Sequence, residues 1–338
     1  MPIMFAQLCS WDNLYLAWRK ASKGKRGRMA AATFEHRLED NLLVLQDELW
    51  GGYYQPGAYY SFTIHEPKRR LISAAPFRDR VVHHALCNMI EPMFERSFVE
   101  DSYANRVGKG THRALERCQY YARRHPYVLQ CDIQQFFPSI DHNLLLGMLA
   151  RKIDDPQVMA LCEHILNTNI GNTPANKQTN DDGKGLPIGN LTSQFWANCY
   201  LNGLDHFVKR KLHCPGYVRY VDDLLLFGDD KAVLRHWHDE LQTKFNALHL
   251  RLHPHAHPQP VSEGIPFLGF ITWPQRRRVK GRKVWHFGRI FRQKRCEYVL
   301  GHISLDDITT VVHGWVNHVR YANSTGLRKH ILGQIIKI

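Results

Sequence analysis

Two apolar runs of this chain are interrupted by aspartates, and these interruptions constrain the fold more than any other feature. The first run, residues 128–133, carries Asp132, and the second, residues 217–227, carries Asp222 and Asp223 at its centre. A carboxylate inside a core is costly unless it is paired or holds a cation. The first run predicts a strand entering a core, and the second predicts a hairpin with both aspartates at its tip. Three carboxylates delivered by strands can hold two hard divalent cations and so support in-line phosphoryl displacement.

The adjacent aspartates also have a simpler explanation, which is a solvated turn, because aspartates are mostly exposed in folded proteins. The apolar residues on both sides of the pair favour a buried frame instead. Neighbouring residues on a strand point to opposite faces. Asp222 and Asp223 therefore cannot serve identically, and one of them is expected to be the main ligand.

The composition favours a polyanionic partner. The chain has 338 residues and a formal net charge of +14, and this excess of cations is typical of proteins that bind nucleic acid or a membrane surface. No run of about 18 apolar residues predicts a membrane span, and the N-terminus lacks the pattern of a signal peptide. The eight scattered cysteines include no CxxC pair and favour reduced thiols. A cytoplasmic protein without a membrane partner is expected.

The length is typical of about two domains, and the charge and periodicity divide the chain into three parts. Residues 1–55 are expected to form an N-terminal helical extension, because apolar residues recur at helical spacing towards its end. Residues 56–275 are expected to form the core. Residues 276–338 combine a basic stretch with amphipathic helices that could grip a duplex. A second basic run at 20–28 is either a solvated loop or a nucleic-acid contact.

A strand pair is predicted near the start of the core. Residues 59–64 and 70–73 have strand character on either side of a turn at 65–67. Lys68 and Arg70 are two residues apart, so in extended chain they share a face. From that face they could reach a triphosphate, and ordinary surface charge is the alternative.

The order of these segments resembles that of the reverse transcriptases. Asp132 lies in a segment similar to their motif A, residues 185–194 resemble motif B, 220–223 resemble motif C, and 267–270 resemble the primer-grip hairpin. The similarity extends from about residue 71 to 270. It implies an α+β right-hand polymerase with fingers, a palm of antiparallel sheet plus helices, and a C-terminal helical thumb.

The resemblance also implies a catalytic centre. Asp132, Asp222 and Asp223 would be the catalytic residues and would bind two Mg²⁺ ions per active site, with Mn²⁺ as an alternative ion. Asp223 would contribute less directly than the other two. The backbone carbonyl of Ile133 would be a further metal ligand.

Substrate contacts follow from the same resemblance. Phe137 occupies the position of the family's sugar gate, where a ring would clash with a ribose 2′-hydroxyl; a core phenylalanine is the alternative. Lys68 and Arg70 match the residues of the fingers that contact the incoming triphosphate. Ile188 and Gly189 would lie beside the nascent base pair. The implied primer grip consists of Phe267, Leu268 and Gly269.

The finer resemblance is to the reverse transcriptases of diversity-generating retroelements. Most reverse transcriptases carry a glutamine where Ile188 stands, and residues 314–328 are similar to the thumb of this type. The type implies a prokaryotic or phage-encoded enzyme that makes errors at template adenines. Its partners would be a template RNA, the RNA–DNA hybrid, dNTPs and a small basic accessory protein, which is expected to be oligomeric.

Two other functions remain as alternatives. The first is a retron or phage-defence reverse transcriptase. The second is a catalytically idle nucleic-acid-binding scaffold, which is disfavoured because three buried acids without a metal would be costly.

Residues 250–258 depart from the pattern of many polymerases, which place a proton-donating lysine after motif C. This segment carries His253, His255 and His257 instead. A histidine is a competent acid near neutral pH, and a surface loop is the alternative. A metal site is rejected because no fourth ligand is evident.

Overall fold

The computed structural model of the chain describes residues 3–65, 69–167 and 183–333. Lys68, one of the two residues predicted to contact a triphosphate, lies outside the described residues. Within these ranges, no helix combines the length and the apolar character needed to cross a bilayer.

Four helices precede the first strand: α1 (Ile3–Leu8), α2 (Trp11–Ser22), α3 (Met29–His36) and α4 (Leu38–Trp50). Ser10 caps the N-terminus of α2, because its side chain accepts a hydrogen bond from the Asn13 N–H. Asn13 is buried and its side chain donates to the Ala85 carbonyl at 3.1 Å, which joins this part of the chain to the next helix in the core. The apolar spacing that ends at Leu49 spans two helices, because Arg37 has a non-helical backbone with φ −125° and ψ 52°.

A two-stranded antiparallel hairpin follows, formed by β1 (Tyr60–Ile64) and β2 (Arg70–Ala74), and the predicted strand pair is thereby confirmed. Its register places Ile64 opposite Arg70. Two helices come next, α5 (Phe77–Glu95) and α6 (Thr111–Ala122). Asp79, buried near the start of α5, accepts hydrogen bonds from the Tyr54 hydroxyl at 2.8 Å and from the Gly57 N–H at 2.8 Å. These contacts tie the segment before the hairpin to α5.

A four-stranded antiparallel sheet forms the centre of the molecule, with the spatial order β4-β5-β3-β6. Its strands are β3 (Tyr127–Asp132), β4 (Gly216–Tyr220), β5 (Asp223–Gly228) and β6 (Pro258–Pro260). Leu224 and Leu226 pack into the larger core on one face, while Leu225 and Phe227 pack into a second cluster on the other. Burial on both faces explains why residues 224–227 are uninterruptedly apolar.

Four helices lie between β3 and β4 along the chain, α7 (Phe136–Ser139), α8 (His142–Leu149), α9 (Pro156–Asn167) and α10 (Leu191–Arg210), and α11 (Lys231–Ala247) follows β5. The helix α10 is the most deeply buried of these, with Trp196 and Tyr200 both nearly inaccessible to solvent. The aspartate Asp141 caps α8 by accepting the Leu144 N–H at 3.0 Å. A long buried helix therefore runs behind the central sheet.

The C-terminal part contains a small sheet and three helices. The strands β7 (Ile265–Phe267), β8 (Phe270–Thr272) and β9 (Arg277–Val279) pair antiparallel in chain order, and α12 (Gly281–Val299), α13 (Leu305–Val319) and α14 (Thr325–Gly333) follow. A separate apolar cluster holds α12 to α13, where the rings of Phe287 and Trp315 stack with centroids 4.2 Å apart. Ser304 and Asp307 form a capping box at the start of α13.

Candidate active site

The strands β3 and β5 bring two of the predicted aspartates side by side. Asp132 and Asp223 are directly opposite each other at the end of the antiparallel ladder. Residues in this relation share one face of the sheet, with Cβ atoms about 5 Å apart. Like charges in direct opposition are destabilising, so a cation between these carboxylates would remove an electrostatic cost.

The third aspartate lies in the turn between β4 and β5. Tyr220 pairs with Asp223, which leaves Val221 and Asp222 as a two-residue loop. The predicted hairpin is therefore confirmed, but Asp223 is the first residue of a strand and only Asp222 is at the tip. The two aspartates are structurally distinct, as the alternation of strand side chains requires.

The three aspartates are not enclosed by the core, and the expectation that they are buried is wrong. The side chain of Asp132 is 43% exposed, and Asp222 and Asp223 are of intermediate exposure. The apolar residues fill the middle of each strand, whereas the acids lie where β3 ends and β5 begins. The burial argument against a non-catalytic scaffold therefore does not hold.

One of the three histidines after motif C reaches the acids. The His253 N–H donates to the Asp132 carbonyl at 2.9 Å, and His253 Nε2 lies 3.9 Å from Asp132 Oδ2. The neighbouring Ile133 is buried and bridges to Leu252. His257 instead contacts the carbonyl of His255. The sequence could not distinguish these histidines, because the choice depends on how the segment lies against β3.

The ligand chemistry fits a hard divalent cation, although the trio is not gathered into a metal cage. Asp132 and Asp223 offer carboxylate oxygens from adjacent strands, with Asp222 in the adjoining turn, and Mg²⁺ is commonly bound through one or two carboxylates plus substrate phosphates. Across residues 3–65, 69–167 and 183–333, no group of three or more His, Cys, Asp or Glu has the spacing of a metal site. The three carboxylates are therefore ligands of the kind that Mg²⁺ prefers.

Residues 185–190, the part of the predicted motif B that precedes α10, form a turn (the motif B turn) that packs against strand β2. The Ser73 N–H donates to the Ile188 carbonyl at 2.9 Å. Gly189 has φ 124°, and a Cβ built there would lie 3.0 Å from Ile72 Cγ2. Arg70 is two residues from Ile72 and so shares its face of the strand. The exposed Arg70 is therefore on the face of β2 that approaches this turn.

Phe137 lies between the segment after β3 and the motif B turn. Its carbonyl accepts the Leu186 N–H at 2.8 Å. Phe136 is buried, with 2% exposure, whereas Phe137 is only partly buried and contacts the core at its edge. Of these two rings, Phe136 belongs to the core, and Phe137 is the one that is partly exposed.

The predicted primer-grip hairpin is a two-residue turn between β7 and β8. Leu268 and Gly269 both have positive φ, 47° and 88°, which is the pattern of a type I′ turn. The hairpin contacts β3, because the Gln130 side chain donates to the Pro266 carbonyl at 3.2 Å. Phe267 is buried and supports the turn from the core, while Leu268 and Gly269 are partly exposed.

A buried ion pair that was not predicted from the sequence lies behind the β4–β5 turn, which consists of Val221 and Asp222. Arg219 and Asp205 are both fully buried, and the guanidinium Nε and Nη2 atoms each donate to the carboxylate at 2.7 Å. Arg219 Nη1 donates to the Val221 carbonyl at 3.2 Å. A signal was present in the sequence, because a charged residue within an otherwise apolar strand requires a buried partner.

A comparison with known protein families identifies the family of this chain. Residues 64–272 match the family described as reverse transcriptase (RNA-dependent DNA polymerase). This match covers more than half of the chain, which therefore belongs to the reverse transcriptase family. It contains the domain of an RNA-directed DNA polymerase, a nucleotidyltransferase, and such domains generally use divalent metal ions.

Two curated relatives support this assignment. The protein YkfC of Escherichia coli (strain K12) is 26% identical over 212 residues, covering 60% of this chain and 55% of that protein. The group II intron-encoded protein LtrA of Lactococcus lactis subsp. cremoris is 27% identical over 201 residues, covering 59% and 33%. The chain thus spans about half of the first relative and about a third of the second.

The fold is also shared with a solved structure. Apo telomerase from Candida tropicalis, truncated from its C-terminal domain, superposes with a TM-score of 0.50 at 10% identity, covering 66% of this chain and 55% of that one. The predicted α+β polymerase fold is confirmed. These matches leave the diversity-generating type as a prediction.

Proposed function

We propose that Asp132, Asp222 and Asp223 form the catalytic centre of an RNA-directed DNA polymerase that works with two Mg²⁺ ions. The observation that carries this proposal is the in-register pairing of Asp132 with Asp223, with Asp222 in the adjoining turn. Strands of a packed sheet hold side chains more rigidly than loops do. The centre therefore sits on rigid elements that can keep reacting groups in line.

The proposed reaction joins the primer 3′-oxygen to the α-phosphorus of a dNTP and breaks the bond to pyrophosphate. Bound Mg²⁺ would activate the hydroxyl and stabilise charge on the leaving oxygens. Asp132 and Asp222 would hold the ions at the sheet edge, and Asp223, opposite Asp132 on β5, would contribute less directly. The carbonyl of Ile133 is proposed as an additional ligand next to Asp132.

The nucleotide pocket is proposed to lie between β2 and the motif B turn. Arg70 lies on the face of β2 that approaches Gly189, which supports a contact with the triphosphate. Ile188 borders the same space because its carbonyl accepts a hydrogen bond from β2. Phe137 borders it because its carbonyl accepts a hydrogen bond from the motif B turn. Phe137 would exclude ribonucleotides by contact with the 2′-hydroxyl.

The template RNA and the RNA–DNA hybrid are proposed to bind along the cationic surface, since the chain carries a net charge of +14. In this proposal, residues 1–55 extend the core of 56–275, residues 276–338 grip the duplex, and Leu268 and Gly269 touch the primer. A cytoplasmic location belongs to the same proposal.

The catalytic assignment is tested by Asp222→Asn and Asp132→Asn. We expect Mg²⁺-dependent primer extension to fall by at least about a hundredfold, because several kcal/mol of transition-state stabilisation depend on the ion. Asp229→Asn is the matched control, since Asp229 is exposed just beyond the far end of β5. It should retain parental activity. Full extension by purified, folded Asp222→Asn protein would refute the catalytic centre.

We also infer that the enzyme is of the diversity-generating type and works with a small basic accessory protein and a retroelement RNA. Isoleucine at 188 offers neither a donor nor an acceptor to the nucleotide, so mispairs would be penalised less than with glutamine. The inference of reduced fidelity therefore depends on Ile188. The preference for errors at template adenines is implied only by the resemblance to the diversity-generating type.

A second candidate is an intron-type reverse transcriptase, which is favoured by the similarity to the group II intron-encoded protein LtrA. The two are distinguished by sequencing cDNA made by the parent and by Ile188→Gln on one template, with accessory protein and RNA supplied. The diversity-generating type predicts errors at template adenines that decrease in the variant. Low and uniform errors in the parent would favour the second candidate.

A further inference from the structure

The ion pair of Arg219 and Asp205 is unusual because both of its charged side chains are fully buried. Both residues are fully inaccessible to solvent, and two guanidinium nitrogens donate to the carboxylate at 2.7 Å. Removing two charges from water has a large desolvation cost, so such a pair is weak evidence for stability. Burial lowers the pKa of Arg219, but the attraction of Asp205 outweighs this effect, so the pKa lies above its ordinary value. The guanidinium is thus a permanent donor in this core.

The third nitrogen of this guanidinium faces the turn of Val221 and Asp222, which is called the catalytic turn because the proposed catalytic residue Asp222 lies in it. Arg219 Nη1 donates to the Val221 carbonyl at 3.2 Å and to Asn198 Oδ1 at 3.0 Å. Val221 has φ 56°, a left-handed conformation that is strongly disfavoured for a β-branched residue. Strained residues persist only where the surrounding structure holds them. The hydrogen bond from Arg219 is such a restraint.

The anchors of Arg219 lie on one helix. Asn198 and Asp205 are seven residues apart in α10, which places them on the same face two turns apart. The Asn198 side chain also donates to the Ala104 carbonyl at 2.9 Å, which orients its oxygen towards Arg219. The helix α10 begins at Leu191, directly after the motif B turn. The catalytic turn and the motif B turn are therefore braced by the same helix.

We propose that Arg219 is a positioning residue that holds Val221 in its left-handed conformation and thereby sets Asp222 and Asp223 against Asp132. The inference rests on the proposed function of the three aspartates. Arg219 itself is enclosed and contacts no substrate. Its effect would pass through the backbone of the turn, so catalysis should suffer while substrate binding is largely kept.

The test is a double-mutant cycle between positions 219 and 221. Arg219→Lys keeps a positive charge beside Asp205 but removes the planar group that reaches the Val221 carbonyl. Val221→Gly allows a positive φ without a restraint. The measurements are kcat, KM for dNTP and the thermal midpoint of the parent, both single variants and the double variant.

We expect Arg219→Lys in the parent to lower kcat by at least about tenfold, since small displacements of catalytic groups have effects of this size. KM for dNTP should change less than about twofold, because the proposed nucleotide contacts are elsewhere. In the Val221→Gly background, the same substitution should lower kcat by no more than about threefold, because glycine adopts a positive φ without strain and the turn no longer depends on the restraint from Arg219. A purely stabilising role would lower the thermal midpoint without this coupling.

Tyr217→Phe is the matched control. The Tyr217 hydroxyl donates to Asp205 Oδ1 at 2.7 Å, so its removal weakens the buried network without touching the Val221 carbonyl. It should lower the thermal midpoint and keep kcat. If Arg219→Lys does not fold, Asn198→Ala in both backgrounds replaces it, because it removes the side-chain acceptor of Nη1 and leaves the ion pair.

Two outcomes would overturn the proposal. The first is an equal loss of kcat in both backgrounds, and the second is parental kcat in folded Arg219→Lys protein. If Asp222→Asn is inactive and the losses are equal, the inference alone fails. If Asp222→Asn is fully active, the catalytic centre fails and this inference falls with it.

Discussion

Replacing Gly189 by alanine should damage the nucleotide pocket through the backbone. Gly189 has φ 124°, and a Cβ there would lie 3.0 Å from Ile72 Cγ2 and 3.5 Å from the Ser73 carbonyl oxygen. The steric contact is the smaller effect, because a shift of a few tenths of an ångström relieves it. The backbone conformation cannot be relieved by such a shift, and it costs about 1–3 kcal/mol for a residue with a side chain.

The strain should be released by separation of the motif B turn from β2. This movement would break the hydrogen bond from the Ser73 N–H to the Ile188 carbonyl, which is 2.9 Å long, and the one from the Ala75 N–H to Asn190 Oδ1 at 3.2 Å. A cost of 1–3 kcal/mol corresponds to a loss of about 5- to 150-fold in catalytic efficiency if the separated turn is inactive. KM for dNTP should carry most of this loss, because the proposed pocket lies at this contact.

The assay is single-nucleotide primer extension over a range of dNTP concentrations, together with thermal unfolding of the same preparations. Gly203→Ala is the matched control, since Gly203 is exposed in the middle of α10 and a Cβ there meets nothing within 4 Å. It should stabilise the protein by about 0.5–1 kcal/mol through helix propensity. Parental KM and parental stability in Gly189→Ala would refute the reasoning that the turn must be held against β2.

Three further predictions address sugar choice, duplex binding and acid stability. Phe137→Ala should raise the ratio of ribonucleotide to deoxynucleotide incorporation, and an unchanged ratio would assign the ring to packing alone. Replacing Arg276 and Arg278 together by glutamine should make the dependence of duplex affinity on salt shallower by about two counterions, measured by titration at several salt concentrations; Arg277 is left intact because it is partly buried and burial lowers its pKa. Burial holds the pKa of His83 at about 3, below its ordinary 6.5, so only the unfolded state gains a proton in that window and stability should fall as pH drops from 6.5 towards 3. His83→Leu should flatten this part of a pH series of urea-unfolding curves, and an identical pH dependence in parent and variant would contradict the buried neutral state.

The hairpin of β4 and β5 was largely predictable because its signal is local. The signal was the pair of aspartates between two apolar runs, and the turn residues added none, because Val221 adopts a left-handed conformation that a β-branched residue disfavours. The sequence therefore placed both aspartates at the tip and required them to differ, and the structure showed that Asp222 is in the turn while Asp223 begins β5. The degree of burial was not predictable, because an apolar run shows that a strand enters a core without showing where along the strand the core ends. Asp132 lies at that end and is half-exposed.

The polar contacts around the aspartates were not predictable, because their partners are distant in the chain. Arg219 finds Asp205 and Asn198 on a helix, and His253 reaches Asp132 across a separate segment. Periodicity describes which face of an element is apolar, but it does not specify which polar group of another element will lie opposite.

The sequence by itself determined the family, the central hairpins and the positions of the three aspartates along the chain. The hairpins depend on alternation of side chains, which acts over a few residues, whereas the family rests on the order of the segments that resemble its motifs. Only the tertiary structure decided that the Ile188 carbonyl meets Ser73 and that the strained Val221 is held by Arg219. Such contacts join segments far apart in sequence, and their geometry results from the packing of the whole core.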